Sequence, residues 1–419
     1  MNARERLIKT LNHEQPDKVV FDLGATSQTG ISASTLYKVR KELGLPEKPI
    51  TIQEAAILLG QVDEEVMQAL EVDVIGLWNP KNTLGVKNEN WKPWSMPDGT
   101  PTLVAGGMKF STDEKGNTYT YPQGDNTFPP SMILPSEGYF FDNIERGGEF
   151  DEDNLDPRKD FKDDFAIFDD ETARYLEKES LRLFNETPYG IVGMCGGGGF
   201  GDVFTLPACW VKNKPQGIRK MEDWLMAHIL YPDYIIELFE MQSEIALKNL
   251  EIYKQAVGNR IQVLWTSGTD FGTQNGPFIS PESYRKLYMP FHKKINDWIH
   301  QNTDWKTFYH TCGSIVPLLD DFVEAGIDIL NPVQCSAAGM SPEFLKEKYG
   351  DKFVFWGGGV DTQQTLPFGT PDEVRAQVKE RLEIFSKNGG YVFNTIHNIL
   401  GKTPVENLMA MFETLKEYR

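Results

Sequence analysis

Eight short apolar runs punctuate the chain: Val19–Leu23, Val72–Leu77, Gly190–Met194, Ile261–Trp265, Thr307–His310, Ile327–Leu330, Phe353–Trp356 and Tyr391–Phe393. Most are continuous rather than alternating, the pattern of parallel strands covered on both faces. Helix starts stand between the later runs, at Ser280-Pro281-Glu282, Ser341-Pro342-Glu343, Thr370-Pro371-Asp372-Glu373 and Thr403-Pro404-Val405-Glu406. Each places a hydroxyl at the N-cap and proline at the first helical position. The two threonine starts add glutamate at the third position, which predicts capping boxes. Strands alternating with helices in this number predict a (β/α)8 barrel of the TIM type, with its chemistry at the carboxyl ends of the strands. An open doubly wound sheet is the competing arrangement.

A barrel with insertions reaches 419 residues as one unit, so residues 1–419 are read as a single barrel domain. The excess lies between the second and third strands, where about 110 residues far exceed a βα loop. This insertion, about 78–185, holds Trp78, Trp91, Trp94, Phe128, Tyr139, Phe140 and Phe141 among Gly, Pro and Asp. It is expected to roof the barrel mouth as a lid or substrate-selecting subdomain with an aromatic wall. The plainer expectation is a surface hairpin packing a small core of its own.

Composition narrows the class. With 40% hydrophobic and 25% charged residues the chain reads as an ordinary soluble globular protein. A net charge of −19 speaks against a nucleic-acid partner, because phosphate neutralisation needs clustered Lys and Arg. The acidic stretch from Glu149 to Asp164 reads as a solvated loop. The N-terminus reads as an amphipathic helix start rather than a signal peptide, and no run approaches the ~20 apolar residues of a membrane span. A cytoplasmic location is expected, in keeping with four cysteines that lack framework spacing.

The candidate chemistry gathers at strand ends. His310-Thr311-Cys312 closes the fifth run, and His397 follows the eighth. On an extended strand residues i and i+2 share a face, so His310 and Cys312 are expected to grip one ion together. With His397 they make three nitrogen and sulfur ligands without an evident fourth, the pattern of a catalytic zinc site with an open position. Asp270, Gln334 and Asp361 follow the fourth, sixth and seventh strands and are candidates to orient ligands or substrate. Gln274 and Asn331 are candidate substrate contacts, and Asp270 is also a candidate direct or water-bridged fourth ligand. The plain alternative for the polar residues after the sixth and seventh strands is capping of loops and helix starts. The run Gly196 to Gly201 lacks the Gly-Lys-Ser/Thr of a phosphate loop and reads as backbone close to a large flat ligand, or as simple loop flexibility. Cys195, Cys209 and Cys335 have no partner at motif spacing and read as inert.

These motifs carry a resemblance. Asp270-Phe-Gly-Thr-Gln274, His310-Thr-Cys-Gly313, Asn331-Pro-Val-Gln334, Phe355-Trp-Gly-Gly-Gly-Val-Asp361-Thr-Gln363, Leu366 to Val374, Gly389-Gly-Tyr391 and Pro404-Val-Glu-Asn407 resemble the uroporphyrinogen decarboxylase superfamily, and more closely its cobalamin-dependent methyltransferase branch. The match is dense from about residue 260 onward and weaker before it, with Arg4 to Leu7 and Pro16-Asp17 supporting it.

Decarboxylases of that superfamily carry an arginine-rich N-terminal segment for the porphyrinogen carboxylates. Here the corresponding stretch, Phe21 to Gly30, has no arginine, which turns the expectation away from decarboxylation. The methyltransferase branch binds zinc through a His-x-Cys pair and a distant cysteine. His310 and Cys312 match the pair, while His397 stands where the distant cysteine is expected. One thiolate leaves the site a net positive charge that two would cancel, so the zinc should be the stronger Lewis acid, suited to the oxygen of a methyl ether. The resemblance therefore implies methyl transfer from a small, methoxylated aromatic donor to the Co(I) of a corrinoid on a partner protein, with a homodimer as a further expectation. Methyl transfer from a corrinoid to a thiol, and plain tetrapyrrole or corrinoid binding, are the other two readings.

Overall fold

The computed structural model describes residues 1–195 and 197–419. All eight apolar runs lie in one parallel sheet: β1 (Val20–Phe21), β2 (Val74–Leu77), β3 (Gly190–Met194), β4 (Val263–Ser267), β5 (Lys306–His310), β6 (Ile329–Asn331), β7 (Val354–Trp356) and β8 (Tyr391–Phe393). Their hydrogen-bonded order is β1-β8-β7-β6-β5-β4-β3-β2. Pairing of the first strand with the last, Val20 beside Val392, rolls the sheet into a TIM barrel and rules out the open alternative. The seam falls between β1 and β2, where Asp73 bridges the gap. Its N–H donates to the Phe21 carbonyl at 2.8 Å, and its Oδ2 accepts the Phe21 N–H at 2.9 Å.

Alternation along the strands explains both the core and the site. Val20, Val74, Val192, Val263, Phe308, Ile329, Val354 and Val392 point inward and fill the barrel with mostly β-branched side chains. The helix Ala3–Leu11 closes the amino end with Leu7 and Leu11. Two residues further along the same inward rows stand Asp22, His310, Asn331 and Asn394, all buried. The interior is thus apolar at depth and polar at the carboxyl mouth.

Three of the four expected helix caps form: Ser280, Ser341 and Thr370 each accept the N–H three residues on, and Thr370 with Glu373 completes a capping box. The fourth does not. Thr403 donates instead to the Leu400 carbonyl at 2.9 Å, closing the turn that leaves the mouth, and the last helix begins at Val405 without a side-chain cap.

The long connection after β2 is smaller than its sequence boundaries. Helix Asp170–Glu186 packs on β2 and on helix Pro232–Val257, so it belongs to the barrel and the departure spans 78–169. Strands Lys92–Ser95 and Pro101–Val104 join Ile50–Glu54 and Leu59–Gly60, from the β1–β2 connection, in one small sheet. A second, antiparallel sheet holds Phe110–Thr112, Thr118–Thr120, Met132–Leu134 and Asp142–Asn143. Trp94 stacks on Phe110 at 5.2 Å and Phe110 on Phe141 at 6.3 Å, giving the insertion its own aromatic core. Lys402 Nζ lies 5.3 Å from the Tyr139 ring, which seats the insertion against the rim at the β8 loop. Among the described residues no helix is long and apolar enough to cross a membrane.

Candidate metal centre

His310 is the last residue of β5, Cys312 lies in the following loop and His397 in the loop after β8. His310 Nε2 is 3.4 Å from Cys312 Sγ, and one donor atom from each of the three residues lies within 4.8 Å of the other two. The two imidazoles meet edge to face at 5.3 Å. β5 stops at His310, but Thr311 N–H still bonds the Asn331 carbonyl at 2.7 Å, and Cys312 follows on the same side as His310. Loop hydrogen bonds fix it there. Cys312 N–H donates to Asp270 Oδ1 at 2.6 Å, Gly313 N–H to Gln334 Oε1 at 2.7 Å, and Ser314 N–H to the Thr273 carbonyl at 2.7 Å. Gly313 has φ +87°, and a Cβ there would lie 2.4 Å from the Gly272 carbonyl carbon. His397 is held by its neighbours, with Ile396 N–H on Val360 O and Ile399 N–H on Gly30 O, both at 3.0 Å.

Asn331 sets the tautomer of His310. Its Nδ2 donates to the Trp356 carbonyl at 2.8 Å, which turns Oδ1 toward His310 Nδ1 at 2.6 Å. Nδ1 therefore carries the proton, and the Nε2 lone pair faces Cys312. Asn331, a candidate substrate contact in the sequence, is fully buried, and its amide joins His310 to β7, behind the histidine. Burial pushes His310 down to about 4 and His397 likewise to about 4, the His310 charge adding to the effect on His397. Both rings are neutral near pH 7. Burial raises the Cys312 thiol well above its ordinary value, with the Asp270 charge adding, so an incoming cation must displace a proton.

The donor set fits a four-coordinate ion. Ligands at tetrahedral angles around an ion such as Zn²⁺ stand roughly 3.3–3.8 Å apart, and the His310–Cys312 pair already does. Asp270 Oδ1 is 3.8 Å from His310 Nε2, but its first bond is to the Cys312 backbone. Burial raises its carboxyl, against the Cys312 N–H and the His397 charge. Burial, with Asp270 adding, also pushes Asp202 up to about 7.

A cavity of about 380 Å³ opens beside the donors. Its walls come from the loop after β4 (Gly272, Thr273, Gln274, Phe278), from Cys312, Gly313 and Gln334, from Thr362 and Gln363 after β7, and from Ile396 and His397 after β8. Gln274 and Gln334 thus both line the cavity. Asp361 does not line it: its Oδ1 accepts the N–H groups of Gln363 and Gln364 at 2.6 and 3.2 Å, the loop-capping alternative. None of the seven insertion aromatics lines it either: Trp94 and Phe141 belong to the insertion's own stack, and Trp91 and Phe140 are exposed; the aromatic wall is Phe278. Phe278 escapes sequence reasoning because a single side chain in a loop has no periodicity. Gln363 stands in the polar run after the seventh strand but is not singled out from it.

In the glycine run, Gly196 lies outside the described residues. Gly198 N–H bonds the Thr266 carbonyl at 3.1 Å and Gly201 abuts Trp224, so these glycines serve close packing. Cys195, Cys209 and Cys335 are each pushed up to about 12 by burial, as inert thiols should be.

Comparison with known proteins agrees with this geometry. A family model described as "Uroporphyrinogen decarboxylase (URO-D)" matches residues 179–418, more than half of the chain. The chain is 28% identical over 247 residues to the uroporphyrinogen decarboxylase of Geotalea uraniireducens, covering 58% of this chain and 63% of that protein. It is 25% identical over 239 residues to that of Geobacter sulfurreducens, covering 56% and 63%. It therefore spans under two thirds of the length of these curated relatives. A methyltransferase from Methanosarcina mazei superposes over 100% of this chain and 99% of its own, with a TM-score of 0.53 at 17% identity, a likeness of fold. With the family model matching more than half of the chain, and with that match taking in the loops that carry His310, Cys312 and His397, the chain belongs to the uroporphyrinogen decarboxylase family.

Proposed function

We propose that this protein is a zinc-dependent methyltransferase that moves a methyl group from a small methoxylated aromatic donor to the Co(I) of a corrinoid carried by a separate protein. The observation that carries this reading is the His310, Cys312 and His397 donor set opening on the 380 Å³ cavity. In balanced form, the methyl carbon–oxygen bond breaks with its electron pair left on oxygen. The oxygen takes a proton from solvent, and Co(I) supplies both electrons of the new cobalt–carbon bond. When bound, zinc supplies a Lewis acid that stabilises charge developing on the leaving oxygen.

The chain's own residues prepare that chemistry. His310 and His397 present neutral lone pairs, Cys312 provides the single thiolate, and Asn331 holds the His310 tautomer. Asp270 and Gln334 are positioning residues, since they hold the Cys312–Gly313 backbone. Phe278 and Ile396 give the donor ring apolar walls, and Gln274 and Gln363 face its polar edge. Asp361 acts further out, by shaping the loop that carries Gln363.

Decarboxylation of a polycarboxylate tetrapyrrole, the activity in the names of the curated relatives, is less well supported. The cavity sits near the lower end of the ~300–1,000 Å³ usual for small-molecule pockets. Phe21 to Gly30 offers no arginine, and its Asp22 is buried against Trp356 Nε1 at 2.8 Å.

Elemental analysis and methyl transfer from a methoxybenzene to reduced corrinoid protein test the proposal. About one zinc per chain is expected, lost with the activity when His310, Cys312 and His397 are all alanine. Full occupancy in that triple variant, or turnover of uroporphyrinogen at an ordinary enzymatic rate, would overturn it.

A further inference from the structure

Every polar side chain on the cavity wall away from the metal donors is an uncharged amide or hydroxyl: Thr273, Gln274, Gln334, Thr362 and Gln363. Among the described residues, neither Lys nor Arg lines the cavity. A carboxylate, Asp270, stands behind the Cys312 N–H, and the whole chain carries −19. From this charge pattern we infer that the donor is electrically neutral: a methoxyphenol or other uncharged methoxyarene, and not a methoxybenzoate. The inference rests on the methyltransferase reading and narrows it.

The physical reason is desolvation. A ring seated between Phe278 and Ile396 loses water around its substituents, and an ionised group buried without a counter-ion costs several kcal/mol. A donor carboxylate would meet no cation on the wall. Were it to reach the metal instead, it would take the position required by the ether oxygen and act as an inhibitor. A hydroxyl faces no such penalty. Gln274 Nε2 donates to Gln363 Oε1 across the mouth at 3.3 Å, a long bond that leaves each amide with further donor and acceptor capacity for a neutral polar substituent.

The test pairs 2-methoxyphenol with 4-hydroxy-3-methoxybenzoate, the same ring pattern with a carboxylate added, in two readouts. Calorimetric binding to the zinc-loaded protein should detect the phenol and give at least tenfold weaker binding for the benzoate. Methyl transfer to reduced corrinoid protein should show the same preference in kcat/KM. Gln363→Arg and Gln274→Arg each place a cation on the wall and should shrink or reverse the preference. Equal affinity of the wild-type protein for both compounds, or a preference for the benzoate, would overturn the inference. If the phenol binds selectively but no methoxyarene gives up its methyl group, the charge reading stands and the methyltransferase reading falls.

Discussion

Asn331 Oδ1 lies 2.6 Å from His310 Nδ1, and this contact decides which nitrogen of His310 faces Cys312. Groups that orient a metal-bound histidine commonly influence affinity by about 10–100-fold. Asn331→Ala should weaken zinc binding by that factor while leaving His310, Cys312 and His397 in place. Asn331→Asp keeps an acceptor for Nδ1–H and should recover much of the affinity. Competition with a chromophoric chelator measures both, and an alanine variant that binds like wild type would remove Asn331 from the site.

Gly313 is the hinge of the Cys312 loop. Its φ of +87° lies in the left-handed region, and a Cβ there would lie 2.4 Å from the Gly272 carbonyl carbon, overlapping backbone. Gly313→Ala must move the loop, with a strain of about 1–3 kcal/mol even before the clash is relieved. The displaced segment carries Cys312, so the expected outcome is a folded barrel with zinc affinity reduced at least tenfold. Circular dichroism and the same chelator competition separate loss of the site from loss of the fold.

The barrel was legible in the sequence because its strands are buried on both faces, so eight apolar runs marked them and boundaries moved by only a residue or two. His310, Cys312 and His397 were legible because strand ends converge in a barrel wherever they stand in the chain. What stayed hidden depends on direction rather than position. Asn331 and Asp361 both follow strands and are both polar. One amide turns inward to His310, while the other residue's carboxylate turns back to Gln363 and Gln364. The helix Ala33–Glu42 and the two small insertion sheets gave too short or too irregular a pattern to name. The insertion aromatics suggested a substrate wall because aromatic content alone does not reveal which ring stacks on which.

His292 gives the fold an acid limit. It is buried between two tyrosines, with Tyr284 OH at 3.1 Å from Nδ1 and Tyr309 OH at 2.9 Å from Nε2. Burial pushes it down to about 3, from an ordinary value near 6.5. The folded state thus excludes a proton that the unfolded chain accepts. The stability involved is whole above pH 6.5 and is lost as pH falls through that value toward 3, by about 2 kcal/mol at pH 5. His292→Gln retains a donor and an acceptor but does not titrate. It should be less stable than wild type at pH 7, and the gap should close by about 2 kcal/mol at pH 5. Urea unfolding at the two pH values measures this, and a constant gap would show that His292 is protonated in the fold.

His397 tests whether ligand charge selects the leaving group. With two imidazoles and one thiolate, a bound zinc keeps a net positive charge, which favours an oxygen that becomes negative as the methyl group departs. His397→Cys should retain metal, because thiolate is an equally competent ligand. The loop that carries it is fixed by Val360 and Gly30 through the neighbouring backbone, so the substitution leaves the loop anchored. The added negative charge should slow ether demethylation at least tenfold. His397→Ala should lose both metal affinity and rate. The spectral change from Co(I) to methyl-Co(III), followed with a neutral methoxyarene and with a methylated thiol, reports the outcome. A Cys variant that demethylates the ether at the wild-type rate would mean that Phe278, Ile396 and the Gln274–Gln363 pair, and not the metal's charge, determine which donor reacts.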